Sequence, residues 1–489
     1  MTNRTFHSIV WTGVERFGAQ IFQAIFMIAL ARILVPEDYG LLAMIFIFLM
    51  IGQMLLDGGL SMALLQKKNP TENDFSTVFW FNLGFGILFY IVFFLSAPWI
   101  AKFYEQPLLV PIIKVAGLNF IIWSVSIIHG TKLYIALNFR KIAFITISAM
   151  ILSGILGIVL AYHGYGVWAL VFQFLINNLL RTIFFWLFTA PWYPRFIFSL
   201  NSFKSLIKFG YGYMFSNLLD TTFKNMFAVF IGKFYAVKEL GFFQKANSLS
   251  SLPSSNAAYA LSNSFIPIQT DLSGNPEEQR KSFDRFLSLK CFIIFPIAIF
   301  LAILAEPFVS FVLTDRWLPA VPFIQILCLG YLWYPVLVIN RRMLLSKGFS
   351  KQNLIAEIIA KTFGVALFLI CLPHGIYWIC VAISVYAVFD MIVSMIFVQK
   401  ILSIRWIEQL KIMLPVLGLA LFSGFIAWLV GFGLTSYIFS STNDFMKLTL
   451  GGISGLSVYL LGSYYLKFEE IKFMMSYLKN YTAKTTAHN

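Results

Sequence analysis

Runs of about 20 apolar residues, each long enough for a helix to cross the hydrocarbon of a bilayer, recur along the whole of this chain. Fourteen spans are read, at 9–34, 39–65, 76–101, 108–135, 143–163, 165–189, 206–235, 243–270, 287–313, 319–345, 352–371, 375–398, 411–433 and 446–466. Only 12% of the 489 residues are charged, against about 25% in a soluble domain. No soluble core of this length hides so much apolar surface, so soluble enzymes and disordered chains are excluded. A hydropathy window would pass over two of the spans. The seventh carries Asp220, Lys224 and Asn225, and the eighth is rich in Ser and Asn from Asn247 to Asn263. Glu15 and Arg16 interrupt any signal-peptide apolar region, so no cleavable signal is expected before the first span.

The net charge of +15 would point to nucleic acid in a soluble protein. Here the cations sort by side. Of the 36 Lys and Arg, 23 fall on the side that includes Arg4, Lys67, Arg140, Arg280, Arg341, Arg342 and Lys472, and 8 on the side of Arg32, Lys102 and Lys238. Both termini are therefore expected in the cytoplasm, and the charge is a topology label rather than a sign of a nucleic-acid partner. External loops are short, leaving no room for a folded extracytoplasmic domain. Asn275-Pro276-Glu277-Glu278 reads as a helix start. With Phe283, Phe286 and Leu287 on one face it is expected to form a short helix on the inner membrane surface. The tail after Leu466, with Phe468, Ile471 and Met475, is expected to do the same, and both segments also fit solvated loops.

A self-similarity links the two halves. The segment from Ala31 to Gly40 aligns with that from Gly232 to Gly241 at an offset of 201, and Tyr165-Gly166-Val167-Trp168 aligns with His374-Gly375-Ile376-Tyr377 at an offset of 209. Each repeat holds six spans, an even number, which gives both halves the same orientation. The fold class expected is an all-α polytopic membrane protein of about 14 transmembrane helices, two parallel-repeat six-helix lobes plus two C-terminal helices. The divisions are 1–190 for the first lobe, 191–205 for a cytoplasmic linker, 206–400 for the second lobe, 401–466 for accessory helices 13 and 14, and 467–489 for a cytoplasmic tail. Transporters built on such repeats hold their substrate between the halves and rock to alternate access.

Charge inside a bilayer costs about 2.5–3.5 kcal/mol per residue on insertion scales, so intramembrane ionisable groups mark cavities or partners. Arg16, Gln20 and Gln23 share one face of the first span, and Gln53 and Asp57 stand one turn apart in the second. Gln173, Asn177 and Arg181 line the sixth, and Asn217, Asp220 and Lys224 the seventh. Glu357 and Lys361 pair in the eleventh span, and Asp390 lies in the twelfth. The cations Arg16, Arg181, Lys224 and Lys361, with Gln20, Gln23 and Asn177, are candidates to line a cavity for an anionic substrate. Asp57, Asp220, Glu357 and Asp390 are candidates to carry a coupling ion, H+ or Na+. Asp220 with Lys224, and Glu357 with Lys361, also fit intrahelical ion pairs that serve insertion alone. Arg181 and Glu15 also fit side chains that snorkel to the headgroups.

Nothing points to a bound metal or organic cofactor. His129, His163 and His374 are isolated, and the four cysteines sit in apolar runs without ligand or disulfide spacing. No phosphate-binding loop, zinc-protease motif or dinucleotide fingerprint occurs. Gly451 and Gly455 form one GxxxG pair in the last span, a helix-packing face.

The segment Ala29-Leu30-Ala31-Arg32-Ile33-Leu34-Val35-Pro36-Glu37-Asp38-Tyr39-Gly40-Leu41-Leu42-Ala43-Met44 resembles the first external turn of bacterial polysaccharide flippases. These belong to the multidrug/oligosaccharidyl-lipid/polysaccharide exporter superfamily. The likeness is to the Wzx-type branch that includes colanic and teichuronic acid exporters. Gly58-Gly59-Leu60-Ser61-Met62-Ala63-Leu64-Leu65-Gln66-Lys67 and Leu137-Asn138-Phe139-Arg140-Lys141 fit the same pattern. The resemblance implies two six-helix lobes and a cationic cavity, compatible with Arg16, Lys224 and Lys361. It also implies a task, the transfer of undecaprenyl-pyrophosphate-linked oligosaccharide across the bacterial inner membrane. A polysaccharide polymerase and glycosyltransferases would be its working partners. A cation-coupled drug or metabolite exporter of the same superfamily is the alternative, although such exporters usually stop at twelve spans. A membrane polymerase or ligase would need a large external loop, which this chain lacks.

Overall fold

The computed structural model describes residues 3–189, 192–262, 265–272, 274–402, 404–434 and 443–471. Among them every regular element is helical. The first compact unit is Met1–Gln244. It holds α1 (Asn3–Ile33), α2 (Pro36–Asp57), α3 (Leu60–Gln66), α4 (Glu72–Tyr104), α5 (Leu109–Ala116), α6 (Asn119–Ile135), α7 (Phe139–Tyr162), α8 (Val167–Phe188) and α9 (Leu200–Phe234). It also takes in the first turns of α10 (Val237–Ser262). The second unit, Lys245–Asn489, holds the rest of α10, then α11 (Phe265–Asp271), α12 (Pro276–Ile303), α13 (Ala305–Phe308), α14 (Val321–Tyr331) and α15 (Tyr334–Ser346). It continues with α16 (Ser350–Cys371), α17 (Ile376–Leu402), α18 (Trp406–Trp428) and α19 (Asp444–Tyr465).

Eleven membrane spans among the described residues are long and apolar enough to cross a bilayer. They correspond to the expected spans apart from the first, seventh and eighth. α1, α9 and α10 supply those three as long helices of lower hydropathy, so fourteen crossings are not reached on composition alone. The repeat is visible in the helix starts. α2 and α10 begin at Pro36 and Val237, 201 residues apart, and α8 and α17 begin at Val167 and Ile376, 209 apart.

In the first unit α1 packs on α7, α7 on α8, and α4 on α6, while α2, α3 and α4 all pack on α9. The chain turns from α2 into α3 through Gly58 and Gly59, both at positive φ (57° and 73°). A side chain on Gly59 would fall on the Gly210 carbonyl of α9, so this approach of backbones needs glycine on both sides. α4 opens with a capping box. The Thr71 hydroxyl accepts from the Asp74 amide at 3.3 Å, and Asp74 Oδ2 accepts from the Thr71 amide at 2.8 Å. The segment after α8 is pinned to α4: Trp192 Nε1 donates to Glu72, the Arg195 amide to Ser76 Oγ (3.1 Å) and the Ser199 amide to Thr77 Oγ1 (3.0 Å). Lys132 completes this clasp, 3.0 Å from Glu72 and 4.5 Å from the ring centres of both Phe75 and Trp192.

The second unit has one large core in which Phe265, Phe283, Phe295, Val336 and Ile339 meet Met413 and Ala420 of α18 and Tyr459 of α19. The Tyr459 hydroxyl donates to the Phe292 carbonyl at 2.8 Å. The last two spans therefore share the core of α12. Gly455 of the GxxxG pair lies against Ala427 and Phe300.

Two expectations are corrected. Residues 276–287 do not form a separate surface helix. α12 runs unbroken from Pro276 to Ile303, capped by Asn275, and Phe283 and Leu287 are fully buried. Burying those apolar side chains in the core outweighs laying them on the membrane surface. The start of the tail likewise joins this core through Phe468 and Ile471, with Ser288 bonded to Glu470. Met475 and the rest of 472–489 lie outside the described residues.

Spans four and ten, expected to be continuous, are each broken, at Gly117–Leu118 between α5 and α6 and at Leu332–Trp333 between α14 and α15. Pro335 at the start of α15 donates no amide proton to the preceding turn, one cause of the second break. Side chains take up the carbonyls around it. Ser250 donates to the Ile324 carbonyl (3.2 Å), Ser254 to Tyr331 (2.9 Å) and Ser384 to Ile326 (2.7 Å), while the Tyr331 hydroxyl donates to Asn247 (2.7 Å). In the first repeat Thr182 and Trp186 of α8 donate to the Ile122 and Val125 carbonyls of α6 (3.1 and 3.2 Å). The Ser and Asn content of α10 thus has a structural use.

Candidate functional site

Discontinuous helices at corresponding places of two repeats are a pointer to a transporter's working region, and a largely buried charge network of the second unit is centred on α15, the helix that follows the break. Arg341 of α15 reaches both α16 and α17. Its Nη2 is 2.6 Å from Asp390 Oδ1, and its Nη1 is 3.6 Å from Glu357 Oε1. Lys361 Nζ is 2.7 Å from the same Glu357 oxygen. The Tyr386 hydroxyl donates to Asp390 Oδ2 at 3.3 Å. Two cations and two anions are thus interleaved across three helices. The Asp390 side chain is only 4% exposed, and those of Arg341, Glu357 and Lys361 lie within 18–20%. Next to Arg341 on α15, buried Asn340 donates to Gln409 of α18 at 2.9 Å.

Three of the expected residues, Lys361, Glu357 and Asp390, are brought together here. Their hub, Arg341, was counted with the topology-setting cations at the end of the tenth span, because charge beside a span end reads as a loop. The signal available in the sequence was the Asn340-Arg341 pair inside a helix whose face continues with Met343 and Leu344. Lys290 and Lys245, two further cations near expected span ends, are buried as well. Lys290 lies in α12, and Lys245 sits 5.1 Å from the Trp317 ring centre.

The other candidates lie in the first unit. Asp220 and Lys224 form an ion pair on α9 at 2.6 Å, with side chains 36% and 63% exposed. Asn177 of α8 donates to Ser153 of α7 at 3.1 Å. Arg181 stands 5.8 Å from the Phe185 ring centre, and its Nε is buried without a hydrogen-bond partner among the described residues. On α1, Gln20 is half-buried and Gln23 exposed, while the side chain of Arg16 lies outside the described residues. Asp57, at the end of α2, accepts from the Ser61 amide and hydroxyl, and no cation pairs with it among the described residues. A cavity of about 330 Å³ between the start of α12 and the end of α15 is lined by Arg280 and Lys347, held by Glu408 and Gln279.

Comparison with known proteins fits this architecture. The chain is 24% identical over 349 residues to the teichuronic acid biosynthesis protein TuaB of Bacillus subtilis, covering 71% of this chain and 72% of that protein. It is 25% identical over 307 residues to the lipopolysaccharide biosynthesis protein WzxC of Escherichia coli, covering 62% of each. Its fold is similar to that of the lipid II flippase MurJ in an inward closed conformation, with a TM-score of 0.77, 17% identity, and coverage of 94% of this chain and 99% of that one. A sequence profile for polysaccharide biosynthesis proteins matches residues 29–322, more than half of the chain. This chain is a multi-pass membrane protein that belongs to the polysaccharide biosynthesis protein family.

Proposed function

We propose that the chain is a flippase. It carries a lipid-linked oligosaccharide, anchored through undecaprenyl pyrophosphate, from the inner to the outer leaflet of the bacterial inner membrane, for surface polysaccharide biosynthesis. The family match over 29–322 carries this reading. Repeated helix sets with matching broken helices support alternating access. The protein is a transporter, not an enzyme.

Both termini face the cytoplasm in this reading. Cations of the two units, Arg16, Arg181, Lys224 and Lys361, meet the pyrophosphate, and Gln20, Gln23 and Asn177 meet sugar hydroxyls. The lipid tail stays in the bilayer. The cycle is driven by a gradient of H+ or Na+, and the candidates to carry the ion are the intramembrane acids Asp57, Asp220, Glu357 and Asp390. Glycosyltransferases supply the cargo and a polymerase consumes it.

Lys224→Glu and Arg16→Glu test the reading. In a strain whose own flippase is deleted, wild type restores surface polysaccharide. The variants are expected to reach the membrane in normal amount and to leave lipid-linked oligosaccharide on the cytoplasmic side. Normal polysaccharide from both variants would defeat the site assignment. Drug resistance without any polysaccharide phenotype would defeat the substrate.

A further inference from the structure

The acid pair Glu357 and Asp390 has the make-up of a cation site, two carboxylates from adjacent helices in a low-dielectric surround. The place between them is filled. Arg341 presents one terminal nitrogen to each acid, at 2.6 and 3.6 Å. Asp390 is closed on its other oxygen by the Tyr386 hydroxyl, and Glu357 on the same oxygen by Lys361. Charges of the four ionic groups sum to zero. A guanidinium does not deprotonate in proteins, so the Arg341 charge stays between the two acids. A metal ion entering beside Arg341 would leave the cluster with excess positive charge inside the membrane, which is heavily penalised.

We propose that Arg341 is a tethered counter-cation, standing where the Glu357–Asp390 pair would otherwise take up a mobile one. The second unit then completes its transport cycle without binding Na+ at this place. This rests on the flippase reading for its role in transport, but not for the binding statement itself. Arg341 acts by holding the two acids and is a positioning residue. Any cation that drives the cycle is taken up elsewhere, and Asp57, which has no described cationic partner, is the acid left for it.

The experiment uses the purified full-length chain in detergent, with its melting temperature followed as NaCl replaces choline chloride at constant ionic strength. Wild type is expected to show no saturable Na+ effect that depends on Asp390. Arg341→Ala exposes the acid pair and is expected to gain a saturable rise in melting temperature with Na+. That rise disappears in the R341A/D390N double variant, and Arg341→Lys keeps the wild-type indifference. Saturable Na+ stabilisation of wild type that D390N abolishes overturns the proposal, as does an R341A variant that Na+ leaves unmoved. Should R341A not accumulate, recovery of the protein in R341A/D390N supports the proposal, because the uncompensated acids were then the damage. Failure of that double variant overturns it. Polysaccharide export by the wild-type chain in a flippase-deleted strain is measured in parallel, in medium that contains Na+. A chain that exports no polysaccharide sinks the flippase reading and leaves the melting result to stand by itself.

Discussion

Gly40 and Gly241, aligned residues of the two repeats, each rest on the first residue of the other's helix. A side chain on Gly40 would fall on the Val237 carbonyl, and one on Gly241 would fall on the Pro36 carbonyl. Pro36 and Val237 are themselves aligned at the same offset, so the contact is reciprocal, as at an isologous two-fold interface. Glu37 and Lys238, aligned at the same offset again, face each other at 3.7 Å. Substituting leucine at Gly40 or Gly241 is expected to cost at least the 1–3 kcal/mol typical of overpacking, roughly, because backbone and not a side-chain tip is in the way. Gly84→Leu, where a Cβ meets open space, serves as the control and should stay within about 0.5 kcal/mol. Thermal unfolding of the purified chains checks both.

Two carbonyls of the tenth span, those of Ile324 and Tyr331, accept hydroxyls of α10, and Pro335 leaves that of Tyr331 without its helical donor. Ser250→Ala and Ser254→Ala are each expected to lower stability by about 0.6–1.7 kcal/mol, the range measured for hydrogen bonds between membrane helices. Ser251→Ala should be silent by comparison, since Ser251 bonds its own helix at the Ser248 carbonyl. Equal losses at all three positions would show that the bonds to the broken helix are not special.

Within the charge network the cost of neutralisation should follow burial and distance. Asp390→Asn strips a nearly buried acid from the 2.6 Å pair and is expected to cost about 3–5 kcal/mol, as when one partner of a buried pair is lost. Glu357→Gln, whose contact with Arg341 is 3.6 Å, is expected to cost less, and Lys361→Ala least. Membrane abundance and melting temperature rank the three. A reversed order would move the hub from Arg341 to Lys361.

Trp192 closes the clasp on the face of α4 near Glu72, packing on Phe75, Phe79 and His129. Trp192→Ala is expected to cost about 3–5 kcal/mol and to free the 192–199 segment for proteolysis. Trp192→Phe keeps most of the packing and loses the bond to Glu72. It should fall between the two, as read by limited digestion and melting.

Hydropathy made eleven spans legible, because a long apolar run has one use in a chain this poor in charge. The offset of 201 aligns the starts of α2 and α10, since the turn before a helix is written in local residues such as Pro36 and Gly40, although the expected spans began later, at 39 and 243. The helix breaks were hidden. Gly117 and Pro335 sit among apolar neighbours, and the groups that take up the freed carbonyls lie on distant segments. Arg341 was hidden for the same reason, since position along a span says nothing of the carboxylates on α16 and α17 that meet it. The surface-helix expectation for 276–287 failed because amphipathicity looks alike whether the apolar face meets lipid or a protein core.

The neutrality of the Arg341 network also bears on biosynthesis. α16 brings Glu357 and Lys361 into the membrane as a self-cancelling pair. α15 carries Arg341, beside Arg342, toward an acid that is made 49 residues later in the chain, Asp390. Until α17 has emerged, that cation has only a shared claim on Glu357. The charge of the tenth span is therefore expected to be fully neutralised only when the twelfth arrives. The three helices are expected to settle in the bilayer together, and a chain truncated before α17 is expected to accumulate less in the membrane.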